Sequence, residues 1–415
     1  MAKKFSTITY GCKVNQYDSQ LLRRSFLLSG YEETQDLGEA DVIVVNGCVV
    51  THRAERDARH ALHRALRKAR EKADIYLLGC AAKYGLDVEG VNKAGSVDEL
   101  LRLLNLKKAD GIRDFGGRKR PYLKVQEGCS FRCAYCVVPL VRGPSRSREL
   151  KKIKEEAEGL LKAGFREIVL TGTQIGDWGK EFGLRLENLI EELLSLPHRF
   201  RLRISSISPL HVTEELLEFV KPQLPALVPH FHMSLQSGSP RILKLMRRPY
   251  TRELFLEKAE MLLEKTPLMS LGTDVIAGYP AETEEDFLET VKLLERLPFS
   301  YLHVFEFSPR RGTEAFSLRE IHPAERKRRV KILLEIRSHK MREYREKFVG
   351  KKLQVIAEKV KNGVLEGTSE NYLRVRFEGP ESLLGEIVDV AITGIDEDVL
   401  TGTAQSQSKA AILRL

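Results

Sequence analysis

The segment Gly128-Cys-Ser-Phe-Arg-Cys-Ala-Tyr-Cys136 carries three cysteines as C-x3-C-x2-C, directly after a short β-type run at residues 122–125. Three thiols so spaced are ligands for a soft metal centre. A structural zinc site closes with four protein ligands, whereas a [4Fe-4S] cluster held by three cysteines keeps one iron free for another molecule. A three-cysteine zinc site is the alternative. Beyond the loop, β-type and helical runs alternate at 151–161, 167–170, 186–194, 201–204, 214–220, 230–235, 252–263, 271–276, 284–294 and 303–307. Six β/α repeats predict an incomplete parallel barrel; a complete eight-stranded one takes about 250 residues, and a doubly wound sheet is the competing architecture.

On the N-terminal side lie the other three cysteines, Cys12, Cys48 and Cys80, each preceded by glycine (Gly11, Gly47, Gly79) and each following a β-type run at 5–10, 41–45 or 75–78. Helical patterns at 19–28 and 54–72 separate these runs, which predicts a doubly wound parallel sheet. Ligands of such sheets gather outside the carboxyl ends of the strands, and spacings of 36 and 32 residues suit βαβ units, so the three thiols can converge. The alternative is three unrelated buried cysteines. The polar, glycine-bearing stretch 110–120 reads as a linker.

On the C-terminal side a long basic helix at 323–348 gives way to strands alone: 353–360, an Asn362-Gly363 hairpin turn, 371–377, 385–394 and 399–403. A small five-stranded β-barrel fits this tail. The expected class is therefore α/β in three parts: a doubly wound parallel sheet at 1–118, a partial (β/α)6 barrel at 119–349 and a small β-barrel at 350–415. A chain of 415 residues has room for two or three such cores. The apolar run at 5–10 is too short for a signal peptide and no apolar stretch of about 20 residues follows, so no membrane association and a cytoplasmic location are expected. Thiols in that reducing compartment read as metal ligands. The excess of 68 Lys and Arg over 58 Asp and Glu, a formal charge of +10, favours a polyanionic partner.

With an aromatic residue just before its last cysteine, the segment from Gly128 to Cys136 resembles the signature loop of radical S-adenosylmethionine (SAM) enzymes. Over its whole length the chain resembles the methylthiotransferases of that superfamily, which join a cluster-binding N-terminal domain, a radical SAM core and a TRAM-like, RNA-binding β-barrel. The stretches Cys133-Ala-Tyr-Cys-Val-Val-Pro-Leu-Val-Arg-Gly-Pro-Ser-Arg-Ser-Arg148, His232-Met-Ser-Leu-Gln-Ser-Gly-Ser239 with Met246-Arg-Arg248, Asp274-Val-Ile-Ala-Gly-Tyr-Pro280 and Phe307-Ser-Pro-Arg-Arg-Gly-Thr313 are similar to the family pattern. Gly11-Cys-Lys-Val-Asn-Gln-Tyr-Asp-Ser19 is most similar to the branch that modifies N6-threonylcarbamoyladenosine in tRNA. The isopentenyladenosine branch usually has Gln-Met in place of Lys13-Val14, and the ribosomal-protein branch has Lys directly before the Asn. Two positions depart from the pattern: Gly47 replaces the usual Thr, and Ala281 stands where glycine normally follows Pro280.

The resemblance implies two [4Fe-4S] clusters, one on Cys12, Cys48 and Cys80 and one on Cys129, Cys133 and Cys136, the second binding SAM through its open iron. With all six thiols engaged, sulfur is expected from the N-terminal cluster or from sulfide at its open iron. SAM is expected both to methylate that sulfur and to yield the 5′-deoxyadenosyl radical that activates carbon 2 of the adenine. For SAM contacts, Tyr135 lies within the cluster loop with its backbone expected beside the cluster, and Gln174, Ser234, Gln236 and Gly278 fall at or just past predicted strand ends. Candidate tRNA contacts are Arg53 and Arg56 in the basic stripe of the helix after Cys48, and Arg142, Arg146 and Arg148 after the cluster loop. Expected partners are tRNA and an electron donor such as flavodoxin or ferredoxin. Rival readings are methylthiolation of isopentenyladenosine tRNA or of a ribosomal-protein aspartate, and an RNA-binding protein whose clusters are structural or sense redox.

Overall fold

A computed structural model describes residues 2–266 and 268–405. Its N-terminal part is a parallel sheet of β1 (Lys4–Thr9), β2 (Glu32–Glu33), β3 (Val42–Asn46), β4 (Asp74–Leu78) and β5 (Asn92–Ala94) in the order β2-β1-β3-β4-β5. The central β3 is apolar without alternation because both its faces are covered. Val42 and Val44 pack toward α1 (Lys13–Leu28) and α4 (Val97–Leu103), while Ile43 and Val45 pack toward α2 (His52–Lys68) and α3 (Cys80–Tyr84). The doubly wound sheet expected from the sequence is thus present. Helix α1 begins at Lys13 rather than 19, since Val14 and Tyr17 are buried among polar neighbours that blur the apolar pattern.

The segment 110–120 is not a free linker. Ile112 and Phe115 are buried in one core with Phe26 and Leu101 on one side and Leu160 and Ile168 on the other. The Ile112 amide donates to Glu156 Oε1 at 2.6 Å, and Arg24 Nη1 donates to the Gly111 carbonyl at 2.9 Å. Its polar composition conceals two apolar anchors.

The middle of the chain supplies β6 (Tyr122–Lys124), a short antiparallel pair β7 (Gln126–Glu127) and β8 (Arg146–Ser147), then β9 (Glu167–Thr171), β10 (Arg201–Ile204), β11 (Ser206–Ile207), β12 (His230–Met233), β13 (Ser270–Ala277) and β14 (Tyr301–Glu306). Sheets β10-β9-β6 and β11-β12-β13-β14 are parallel, and β10 and β11 are one strand interrupted at Ser205. The six resulting positions form an open arch with β6 and β14 as its free edges. Helices α5 (Val138–Arg142), α6 (Leu150–Lys162), α7 (Leu186–Leu194), α8 (Glu214–Gln223), α9 (Pro240–Leu245), α10 (Arg252–Lys265), α11 (Glu284–Arg296) and α12 (Pro323–Glu346) alternate with the strands. Ala281, in the glycine position of the family pattern, keeps the left-handed turn at φ 64°, a conformation that costs a residue with a Cβ about 1–2 kcal/mol.

Strands β15 (Lys352–Lys361), β16 (Val364–Ser369), β17 (Arg374–Glu378), β18 (Ile387–Asp396) and β19 (Val399–Ala404) close in the order β15-β16-β17-β19-β18. Asn362 and Gly363 both have positive φ, as the two-residue hairpin between β15 and β16 requires. This barrel is fastened to the arch by buried arginines. Arg201 donates to the carbonyls of Gln354 (2.8 Å) and Thr368 (2.9 Å), and Arg203 to those of Glu370 (3.0 Å) and Ser369 (2.9 Å). Glu167, fully buried, accepts from Arg201 at 2.5 Å and Arg203 at 2.8 Å.

Candidate active site

Neighbouring parallel strands β1, β3 and β4 end in Gly11-Cys12, Gly47-Cys48 and Gly79-Cys80, so the three thiols meet at one edge of the sheet. A network of amides and a guanidinium stitches the three loops. Asn15 Nδ2 donates to Asn46 Oδ1 (3.0 Å) and the Gly47 carbonyl (3.3 Å), and Asn46 Nδ2 donates back to the Asn15 carbonyl (2.9 Å). Asn15 Oδ1 accepts from Arg142 Nη2 at 2.8 Å, and Arg142 Nε donates to Cys80 Sγ at 3.2 Å. The glycines allow this closeness: a Cβ on Gly79 would stand 2.6 Å from Asn46 Oδ1, and one on Gly47 2.8 Å from the Ala81 Cβ. Gly47, where the family has Thr, lets α3 pack tightly against the Cys48 loop.

The second trio lies in the loop between β7 and β8. Buried Gln126 holds that loop: its Nε2 donates to the Gly128 carbonyl (2.7 Å) and Ser145 Oγ (2.8 Å), and its Oε1 accepts from the Gln174 amide (2.8 Å). Cys129, Cys133, Cys136, Tyr135, Gln174, Ser234, Gln236 and Arg248 line one cavity at the carboxyl ends of the arch strands. Arg248 Nη1 donates to Cys133 Sγ at 3.0 Å and to the Tyr135 hydroxyl at 3.3 Å. Four of the five expected SAM contacts are therefore together, and Gly278 is not among them. Its positive φ and absent side chain make room instead for Arg326, whose Cγ would lie 2.6 Å from a Cβ there.

The donor set suits iron–sulfur clusters. Burial pushes the Cys48 thiol up to about 11 and the Cys136 thiol up to about 12, so both stay protonated at neutral pH unless a metal centre binds them with release of their protons. Among the described residues, the group of three ligand atoms all within 4.8 Å of one another is His232, Asp274 and His303; neither cysteine trio is that compact. A single tetrahedral zinc would draw its sulfurs to about 3.8 Å apart, given Zn–S bonds of about 2.3 Å. An all-sulfur donor set of three is what a [4Fe-4S] cluster with one open iron takes.

The arginine candidates divide. Arg53 and Arg56 are exposed on α2, and Arg146 is exposed after α5. Arg142 is no phosphate contact: it is 6% exposed and pairs with Glu127 (2.6 Å) and Asp18 (3.4 Å) besides Cys80. Arg148 is likewise engaged, donating to Glu156 (2.7 Å), the Tyr17 hydroxyl (3.0 Å) and the Lys124 carbonyl (2.5 Å). Both arginines fasten the N-terminal sheet to the arch. Arg310 adds a third fastening, donating to the Val49 carbonyl (3.2 Å) and Glu55 (2.6 Å) beside Cys48. Sequence reasoning missed Asn15, Arg248 and Arg310 as site residues, although each lies inside a quoted motif.

Behind Ser234 runs a polar chain. Ser234 Oγ donates to Asp274 Oδ2 (3.2 Å), and Asp274 Oδ1 lies 3.1 Å from His303 Nδ1 and 3.0 Å from His232 Nε2. His232 Nδ1 is 2.9 Å from the Tyr301 hydroxyl, which is 2.9 Å from His230 Nε2. Burial alone would raise the Asp274 carboxyl, but the imidazoles of His232 and His303 hold it well below the usual carboxylate range.

Residues 123–294 match the model of the radical SAM superfamily, and residues 4–100 match Uncharacterized protein family UPF0004. The chain is 38% identical over 414 residues to the threonylcarbamoyladenosine tRNA methylthiotransferase MtaB of Aquifex aeolicus, covering 92% of this chain and 98% of that protein. The tRNA-2-methylthio-N(6)-dimethylallyladenosine synthase of Protochlamydia amoebophila is 32% identical, with 97% and 96% covered. Among solved structures, the radical SAM methyltransferase TsrM of Kitasatospora setae superposes with a TM-score of 0.56 at 14% identity, over 76% of this chain and 77% of that one; the fold is shared. No helix among the described residues is long and apolar enough to cross a membrane.

Proposed function

This chain belongs to the radical SAM methylthiotransferase family, and from that premise we propose that it transfers a methylthio group to carbon 2 of N6-threonylcarbamoyladenosine in tRNA. The observation that carries the reading is the joining of the two cysteine trios by one short helix: α5 follows Cys136 directly and ends in Arg142, which bonds Cys80. Cys129, Cys133 and Cys136 would hold the SAM-binding [4Fe-4S] cluster, and Cys12, Cys48 and Cys80 a second cluster that serves as the sulfur donor. When bound, these groups supply electron transfer, radical generation and sulfur. The chain's own residues orient them. Tyr135, Gln174, Ser234 and Gln236 bind SAM in the cavity beside the second trio, and Arg248 steadies Cys133 and Tyr135.

The small C-terminal barrel acts as a TRAM-like RNA-binding module, and Arg53, Arg56 and Arg146 contact phosphates. The enzyme works in the cytoplasm with flavodoxin or ferredoxin as electron donor, and its parts at 1–118, 119–349 and 350–415 divide donor cluster, radical chemistry and RNA binding. The test is anaerobic incubation of the reconstituted enzyme with SAM, a reductant and each of two purified tRNAs, one bearing threonylcarbamoyladenosine and one isopentenyladenosine. Mass spectrometry of the nucleosides should show the 2-methylthio product only from the first. Product only from the prenylated tRNA would overturn the substrate assignment.

A further inference from the structure

Two cavities lie at opposite ends of one hydrogen-bonded chain of side chains. The first, lined by the cluster-loop cysteines, is bounded by Ser234. The second, about 700 Å³, opens between β14, the stretch before β6, α12 and the C-terminal barrel, and His303 and Tyr301 line it. Ser234, Asp274 and His303 are hydrogen-bonded in series, so this chain of three side chains runs from one cavity to the other. His232, Tyr301 and His230 brace it from behind. One end is open. The His303 side chain is 51% exposed, and with Nδ1 engaged by Asp274 its Nε2 is the atom left to meet a ligand.

The second cavity has a surplus of positive charge. Arg120 and Arg345 are paired with Glu358 and Asp398, but Lys119 and Arg337, also in its lining, make no ion pair among the described residues. The site therefore offers hydrogen-bonding groups at the wall and uncompensated cations beyond it. That combination accepts a chain carrying hydroxyl and carboxylate groups and rejects an apolar one, which would strand buried polar atoms. In an adenine ring, carbon 2 and carbon 6 are separated by one nitrogen only. A base that offers carbon 2 to the first cavity thus carries its N6 substituent close by, at the cavity's wall.

We propose that the His303–Asp274–His232 wall is the receptor for the N6 substituent of the substrate base, a hydroxyl- and carboxylate-bearing chain, which reaches past Ser234 to His303 and the basic cavity. This rests on the reading of threonylcarbamoyladenosine as the substrate. The base's reacting edge stays with the cysteines while the substituent determines whether it can seat. His303 is a specificity-determining residue, and Asp274 positions it.

The test compares affinities of the full-length, cluster-loaded enzyme for one tRNA prepared with and without the threonylcarbamoyl group. Wild-type protein should prefer the modified tRNA, and His303→Ala should reduce that preference by about tenfold or more, the effect of losing one hydrogen bond to a charged group. His303→Gln, which can still present a polar atom there, should restore part of it. An unchanged preference in His303→Ala would overturn the receptor alone. Equal weakening toward both tRNAs would also overturn it, marking His303 as a phosphate contact. Wild-type protein that binds both tRNAs alike would overturn the substrate reading, and the receptor with it.

Discussion

Arg142 shows how much a single side chain decides here. Its guanidinium is buried, donates to Cys80 Sγ and Asn15 Oδ1, and is neutralised by Glu127 and Asp18. Hydrogen bonds and nearby charge at the sulfurs set the potential of an iron–sulfur cluster. In Arg142→Gln, a positive donor is lost beside Cys80, so the reduced state of a cluster held by the N-terminal trio, as proposed, would be disfavoured. The expected shift is about tenfold in the reduced-to-oxidised ratio, which for one electron is about 59 mV toward lower potential. Redox titration followed by electron paramagnetic resonance reads it. An unmoved potential would show that Arg142 serves only to join the two parts. In the sequence this arginine is a candidate RNA contact because it closely follows the cluster loop; only its burial reassigns it.

At the scale of elements, the attachment of the C-terminal barrel to the arch depends on β9 and β10. Glu167, Arg201 and Arg203 are buried together, and the arginines spend their remaining donors on barrel carbonyls. Burial alone would raise the Glu167 carboxyl, yet Arg201 and Arg203 hold it well below the ordinary glutamate range. A carboxyl depressed in the folded state contributes stability that is fully present above its unfolded value of about 4.3 and is lost progressively as acid approaches its folded value. Glu167→Gln leaves two buried guanidinium groups short of a counter-charge, and a loss of about 3–5 kcal/mol in unfolding free energy at neutral pH is expected. Urea unfolding followed by circular dichroism should show that deficit shrinking below pH 4. A variant as stable as wild type at pH 7 would mean that the carbonyl contacts alone hold the barrel. The strands themselves were legible from apolar runs and turn residues, but nothing in the local pattern of Glu167 reveals that it faces two arginines more than 30 residues away.

For the molecule as a whole, the two trios occupy separate sheets yet one continuous assembly. Phe5 of β1 and Phe26 of α1 share a core with Leu160 of α6 and Leu202 of β10. Because each [4Fe-4S] cluster holds four irons, anaerobic reconstitution should load about eight per chain, and the triple variant Cys12→Ala, Cys48→Ala, Cys80→Ala about four. That variant should lose methylthio transfer. Iron content unchanged by the three substitutions would exclude a cluster at the N-terminal trio.

Sequence alone determined what is carried by short-range pattern. Alternating strands and helices specify a parallel sheet, Asn362-Gly363 specifies a hairpin, and C-x3-C-x2-C specifies a three-thiolate loop, because each depends on neighbours within a few residues or one βαβ unit. The family pattern added which thiols act together. The tertiary structure decided which charged groups are partners, since Arg142 with Cys80, Arg310 with Glu55 and Ser234 with Asp274 meet across 62, 255 and 40 positions. It also decided that 110–120 is anchored, that Gly278 serves Arg326 and that His303 stands at the end of a polar chain. The physical reason is that burial and pairing, not residue type, set whether a charge is solvated, structural or chemical, and both are properties of surfaces brought together only by the folded chain.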